Sequence, residues 1–185
     1  IFRTTYSGLA QRDPSQPTTC NCYVAGGKVR SQGFEAEITG RVMPGLDLTA
    51  GYTYNTSEYV NNPNNPDLEG TTFQTSMPEH MLRTWANYQL QGEYSKWQIG
   101  AGTTIQSGVY GRHVGGNVGK GVKNETGGYA IYNARIGYDV NKNVNLSVNI
   151  ENIFDRTYYS QTGTIESNSY YGNPRNMMFT MRTNF

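Results

Sequence analysis

Apolar and polar side chains alternate with a period of two along most of this chain. Near the C-terminus Met177, Phe179, Met181 and Thr183 hold one parity, while Asn176, Met178, Thr180, Arg182 and Asn184 hold the other. A strand sends successive side chains to opposite sides, so the run predicts a half-buried strand with no helical period to compete. The same reading finds Phe34, Ala36, Ile38 and Val42 opposed by Glu35, Glu37, Thr39 and Arg41, then Leu46, Leu48, Ala50, Tyr52 and Tyr54 opposed by Asp47, Thr49 and Thr53. Further on, Leu82, Ala86, Tyr88 and Leu90 alternate with Arg83, Trp85, Asn87 and Gln89, and Trp97, Ile99, Ala101 and Ile105 with Gln98, Gly100, Gly102 and Gln106. Two more runs follow, Ala130 to Val140 and Val144 to Phe154, the latter counted through Asn152. Ile1 to Thr5 reads as the outer end of one more strand.

The connections sort by length. Met43-Pro44-Gly45 suits a type II turn, and short turns of about three to five residues also lie near Gly92 and Lys142. Between them the sequence predicts long polar loops, from Tyr6 to about Gly27, Tyr59 to Met77, Arg112 to Gly127 and Asp155 to Gly172. Soluble sandwiches do not alternate short and long connections in this way. Transmembrane barrels do, with short periplasmic turns and long extracellular loops, and about 9 to 11 residues per strand suffice to cross a bilayer. The predicted fold is therefore all-β, an antiparallel transmembrane β-barrel, with the apolar parity toward lipid and the polar parity toward the lumen.

Composition fits that reading. The 185 residues include 15 Tyr and 22 Gly but only six Phe, and the mean hydropathy is −0.65. A barrel can stay this polar because lipid surrounds one parity only. No run approaches the roughly 20 apolar residues of a spanning helix. A net charge of +1 without a basic stripe gives no nucleic-acid signal. The chain starts without Met at Ile1 and reads as a piece of something longer. Gly119-Lys120 fails as a phosphate loop, since Val114 stands where the first Gly belongs and Gly121 follows the lysine. His80 and His113 stand singly and read as solvated. Cys20 and Cys22 cannot fill a zinc site alone; free thiols and a disulfide both remain open from spacing.

The blocks Asn149 to Tyr159, with Asn152-Ile153-Phe154-Asp155-Arg156 at its centre, and Tyr171-Gly172-Asn173-Pro174-Arg175-Asn176, ahead of a strand ending on Phe185, resemble the C-terminal end of a TonB-dependent ferric-siderophore receptor. Lys28 to Glu37 and Pro44 to Tyr54 resemble earlier strands of the same barrel. The resemblance implies that residues 1–185 are about the last eight strands of a barrel of about 22 strands, whose plug domain and earlier strands lie outside this chain. It implies an outer-membrane receptor and active transporter of a ferric siderophore, energised by TonB acting on an N-terminal plug. The Cys pair and the closing block look most like receptors of the coprogen and pyoverdine type, the hydroxamate class. Cys20–Cys22 would then be a small disulfide on the outside, and Phe185 would signal to the barrel assembly machinery. Outer-membrane lipid would cover the apolar face.

A ferric siderophore brings its iron already saturated by the ligand, so no protein-bound cofactor is expected, only a cup of aromatic and hydrogen-bonding groups. Inward parity at the outer ends selects Tyr59, Trp85, Gln106, Tyr110, Arg112 and Tyr129, with Trp85 the first choice because no lipid explains so large a ring on a polar parity. Glu35, Glu37, Arg83 and Arg135 are expected deeper, against the plug. No nucleophile with a base is visible, so an enzyme is not expected. The competing readings are a self-contained eight-stranded outer-membrane barrel acting as adhesin or structural protein, a barrel enzyme and a soluble sandwich.

Overall fold

The structure is a computed structural model that describes residues 1–17, 19–112, 123–164 and 167–184. Its main sheet has eight antiparallel strands, each hydrogen-bonded to the one before it along the chain. They are β1 (Phe2–Arg12), β2 (Tyr23–Met43), β3 (Leu46–Asn61), β4 (His80–Gln89), β5 (Trp97–Gln106), β8 (Tyr129–Asn141), β9 (Val144–Glu151) and β12 (Asn176–Thr183). Two short hairpins rise from the outer ends, β6 (Val109–Arg112) with β7 (Lys123–Thr126), and β10 (Tyr159–Gln161) with β11 (Tyr170–Tyr171). β1 and β12 do not pair, so the sheet is an open arc of a barrel wall.

Its two faces have different solvents. Among the described residues only Val29, Val109 and Ile131 are buried hydrophobics. The large apolar side chains stand on one parity and are bare, Ile38 65 %, Phe179 78 % and Met181 65 % exposed. No soluble monomer leaves so continuous an apolar face uncovered. No helix among the described residues is long and apolar enough to cross a membrane. β4 has 10 residues; at about 3.3 Å each and a tilt near 45° it rises about 23 Å, close to the apolar band of an outer-membrane barrel.

Aromatic rings mark both edges of the band. At the outer edge Phe34, Tyr52, Tyr54 and His80 cluster, with Tyr54 and His80 stacked at 4.9 Å and the Tyr52 hydroxyl 2.7 Å from His80 Nδ1. At the other edge Trp97 packs on Tyr138 at 4.7 Å. Rings with polar handles are stable at that boundary because one end is apolar and the other wet. Above the outer belt the same parity of β2 and β3 carries the Arg30–Glu58 ion pair at 3.0 Å. The short turns behave as the sequence predicts: Gly45 sits at φ +83°, which the third position of a type II turn requires.

The outer connections differ from expectation. The stretch from Tyr6 to Gly27 is mostly ladder rather than loop, with only residues 13–22 between β1 and β2. At 21 residues β2 runs about 69 Å along its axis, far beyond the membrane. Both faces of that upper ladder meet water, so no amphipathic alternation betrays it. β3 likewise runs on through Tyr59 to Asn61, and the following segment holds one short turn of 3₁₀ helix, Pro66–Leu68. At the other end, β9 stops at Glu151 rather than reaching Phe154, because Asn152 turns left-handed at φ 51°.

The outer segments are stitched together. Gln11 Nε2 donates to Asn62 Oδ1 at 3.0 Å, and Asn64 Nδ2 to the Arg12 carbonyl at 2.5 Å. Tyr110 N–H donates to the Thr75 carbonyl at 2.9 Å. The Thr126 and Thr162 hydroxyls share a hydrogen bond at 2.9 Å, and Asn124 Nδ2 donates to the Gly163 carbonyl at 3.0 Å. Cys20 and Cys22 are joined as a disulfide. Phe185, His113 and Gly119-Lys120 lie outside the described residues.

Candidate functional site

The register lines the inner parity up in rows across the sheet. Glu35, Thr53, Met81, Gln106 and Tyr129 form one row, and Glu37, Gly51, Arg83, Thr104 and Ile131 the next toward the short turns. Thr39, Thr49, Trp85, Gly102 and Asn133 follow. Of the expected cup residues, Gln106 and Tyr129 are thus direct cross-strand neighbours at the outer rim.

Tyr129 has a partner that strand counting missed. Its ring packs on Tyr158 at 4.4 Å. The two rings, with Thr104, Ile131, Asn133, Glu151, Asn152 and Asn173, line a cavity of about 250 Å³. Hydroxyls, amides, a carboxylate and tilted aromatic rings can recognise a polar ligand. The volume falls below the roughly 300 Å³ at which small-molecule sites begin, so the cavity does not enclose such a ligand by itself. Tyr158 escaped the parity count because the left-handed Asn152 breaks the alternation between it and β9.

The signature block explains how that wall is held. Asn152 is 2 % exposed, and its Nδ2 donates to the carbonyls of Arg156 at 2.8 Å and Asn173 at 3.1 Å, while its Oδ1 accepts from the Arg156 N–H at 2.9 Å. Its own N–H donates to Asn133 Oδ1 at 3.0 Å. Asp155 Oδ1 accepts from the Arg175 N–H at 2.8 Å, and the Ile153 N–H donates to the Tyr132 carbonyl at 2.9 Å. The Asn152–Arg156 and Asn173–Arg175 blocks therefore form a clasp that ties the outer ends of β8 and β9 to the start of β12.

Trp85 departs from its expected place. It lies on the inner parity, but in the middle of β4 rather than at its outer end. A Cβ at Gly100 would come within 2.7 Å of Trp85 Cζ2, and one at Gly102 within 2.5 Å of Cε3, so the indole fills the groove those two glycines leave. Packing against bare backbone accounts for the large ring on a polar parity. Arg83, expected deeper, sits two residues nearer the outer end of β4 than Trp85. Tyr59 stands edge-on against Phe73, with ring centroids 5.1 Å apart, and pins the loop that follows β3. Tyr110 lies under Lys123 Nζ at 4.5 Å in the β6–β7 hairpin. The backbone of Arg112 pairs with Lys123, and its side chain lies outside the described residues.

Two further features face the two ends. On the outer hairpin, exposed Tyr159 stacks on Tyr171 at 4.6 Å and donates a hydroxyl hydrogen bond to it at 3.2 Å; that bond and the neighbouring phenol raise the Tyr159 pKa above its ordinary value. At the inner, short-turn end, Arg135 lines a second inward cavity of about 340 Å³ with Lys142 and Arg182. Glu35 and Glu37 project from β2 between these levels, in line with Thr53 and Gly51. Among the described residues no group of three His, Cys, Asp or Glu side chains could hold a metal ion.

Comparison with known proteins meets this geometry. Residues 1–153 match the family model described as TonB dependent receptor-like, beta-barrel. The chain is 37 % identical to the ferric-pyoverdine M114 receptor PbuA of Pseudomonas sp. (strain M114), over all of this chain and 22 % of that protein. It is 28 % identical to the catecholate siderophore receptor Fiu of Escherichia coli K12, over all of this chain and 23 % of that one. The crystal structure of the Pseudomonas aeruginosa ferripyoverdine receptor bound to ferripyoverdine superposes with a TM-score of 0.83 at 26 % identity, covering 99 % of this chain and 24 % of that one. The chain spans less than a quarter of the length of these relatives.

Proposed function

This chain belongs to the TonB-dependent receptor β-barrel family, and from that premise we propose that it is the C-terminal wall of an outer-membrane receptor that binds a ferric siderophore outside and passes it inward. The family is one of outer-membrane transport receptors, and the iron is cargo carried inside its chelate. Energy comes from TonB pulling on a plug that an N-terminal region places in the lumen. The observation that carries the reading is the sidedness of the sheet: bare apolar side chains between two aromatic belts on one face, and on the other a polar face with a walled cavity at the rim. A lumen lined with Glu35, Glu37, Arg83 and Arg135 must be wet, paired or filled.

Tyr129 and Gln106, with Tyr158, Thr104 and Asn133, form one wall of the cup, and Tyr110 and Arg112, both on the β6–β7 hairpin, are its further candidates. Trp85 and Tyr59 serve as supports, of the lumen wall and of the outer loop. Glu35, Glu37, Arg83 and Arg135 meet the plug, Phe185 serves barrel assembly, and lipid covers the apolar face. The chelate is of the pyoverdine type, the ligand named for the relative with 37 % identity. The hydroxamate and coprogen part of the expectation rests on the sequence resemblance alone. A self-contained eight-stranded adhesin is less favoured, because the family match covers barrel strands of receptors several times this length.

The test is growth of an iron-starved strain, with and without the full gene, on purified ferric pyoverdine, ferric catecholate and ferric coprogen. Gene-dependent growth on the first is expected. Equal growth of both strains on all three overturns the reading.

A further inference from the structure

We propose that the Arg135–Lys142–Arg182 corner, at the short-turn end of the inner face, seats a carboxylate-bearing segment of the domain that fills the lumen. This rests on the receptor reading and adds to it the chemistry and place of one contact. The corner is built from three elements: Arg135 on β8, Lys142 in the turn between β8 and β9, and Arg182 on β12, opposite Asn145. They line one cavity of about 340 Å³ whose remaining walls are mostly amides, among them Gln98, Asn143 and Asn145.

The charge there is unbalanced. Asp139 is the one acid in the lining, and it is already held by amides: Asn145 Nδ2 donates to it at 2.8 Å and Gln98 Nε2 at 3.4 Å. None of the three cations joins an ion pair with a described residue. Arg135 Nε is closed off from solvent and finds no acceptor. By contrast, the cation at the corresponding end of β2, Arg41, is matched locally by Asp47 at 3.1 Å. Arg135 is half-buried with one nitrogen cut off from water, while Lys142 and Arg182 stand exposed on the same lining, so the unmet demand is that of Arg135 and its partner is expected from outside the sheet. A cavity of about 340 Å³ has room for a side chain, and three cations on one lining select a carboxylate. The need is permanent, which fits a resident domain better than a passing chelate.

The test uses the full-length protein in outer-membrane vesicles and a zero-length carbodiimide, which joins a lysine amine only to a carboxylate in direct contact. Lys142 is present in the native protein, and R135K and R182K place amines in the cavity without changing its charge. Mass spectrometry should find these lysines joined to an Asp or Glu of the plug domain; links only to an acid of an earlier barrel strand would overturn the proposal. Links to Asp139 alone, links that vanish only when ferric pyoverdine is added, or no links at all would overturn the proposal. Uptake of labelled ferric pyoverdine is measured on the same wild-type cells. If uptake is normal and the links are missing, the corner assignment falls and the receptor reading stands; if uptake is missing, both fall.

Discussion

Asn152→Ala tests whether the signature block is a mechanical clasp. The substitution removes three hydrogen bonds of a side chain that is 2 % exposed. At about 1 kcal/mol net for each bond this loses about 3 kcal/mol, and stranding the Arg156 N–H and two carbonyls adds to it. Ala must also adopt the φ of 51°, at a further cost of about 1 kcal/mol. The total of about 4 kcal/mol falls on the clasp, not on the eight-stranded ladder, so the barrel should still assemble. Hydrogen exchange of the full-length protein in detergent reads it directly: peptides covering 152–156 and 173–175 should exchange on the order of 1000-fold faster, while those of β4 and β5 stay unchanged. Asn152→Gly loses the bonds without the backbone cost, and should exchange about 5-fold more slowly than the Ala variant. Unchanged exchange at 173–175 in Asn152→Ala would refute the reasoning, because that peptide is linked to Asn152 only through the side chain.

Three shorter tests address the faces, the lumen wall and the outer hairpin. Ile38→Arg, on the apolar face of β2 midway between Phe34 of the outer belt and the short turn after Met43, should cost about 2–4 kcal/mol of barrel stability by urea titration in lipid, whereas Thr39→Arg on the inner parity should cost little; equal costs would contradict the assigned sides. Gly102→Val should drive the indole of Trp85 from its groove, shifting tryptophan fluorescence to the red; an unshifted spectrum would remove the packing explanation for Trp85. Tyr171→Phe should lower the Tyr159 ionisation midpoint, seen by ultraviolet titration, because the folded protein holds its phenol protonated above the ordinary value of about 10. The raised value means that this contact stabilises the hairpin fully below that ordinary value and is lost as pH rises through the folded one; an unmoved midpoint would show that the stacked pair does not cause the shift.

What was legible in the sequence follows from where water lies. Between the belts one parity meets lipid and the other meets the lumen, so Phe34 to Val42 or Trp97 to Ile105 alternate and their strands could be placed. Pro44-Gly45 needed no context, since only a left-handed third position completes that turn. Above the belt both faces of β1 and β2 meet water, and the ladder from Tyr6 to Arg12 left no periodic trace. The left-handed Asn152 was equally silent, because its side chain closes on the Asn173 carbonyl, more than twenty residues away, as well as on Arg156 nearby. Trp85 shows the opposite error: its parity was right, but the glycines that explain it lie on the next strand, which a run read by itself does not show.

The clasp also bears on selectivity. Receptors named for pyoverdine and for catecholate chelates match this chain along its whole length, so the shared framework cannot by itself choose between such ligands. The Asn152 amide is spent on backbone partners, Asp155 Oδ1 accepts from the Arg175 N–H, and Arg175 Nη1 donates to the Ile153 carbonyl, so these contacts serve the clasp. What they do is hold Tyr158 against Tyr129 and fix the start of β12, so that the rim presents a constant wall. On the proposed receptor reading, discrimination is expected from what stands on that wall: the β6–β7 and β10–β11 hairpins and the segments stitched to them. On that reading the Asn152–Arg156 and Asn173–Arg175 blocks are a support, and residues that select the chelate should be sought one layer further out, beginning with Tyr110, Lys123 and the Tyr159–Tyr171 pair.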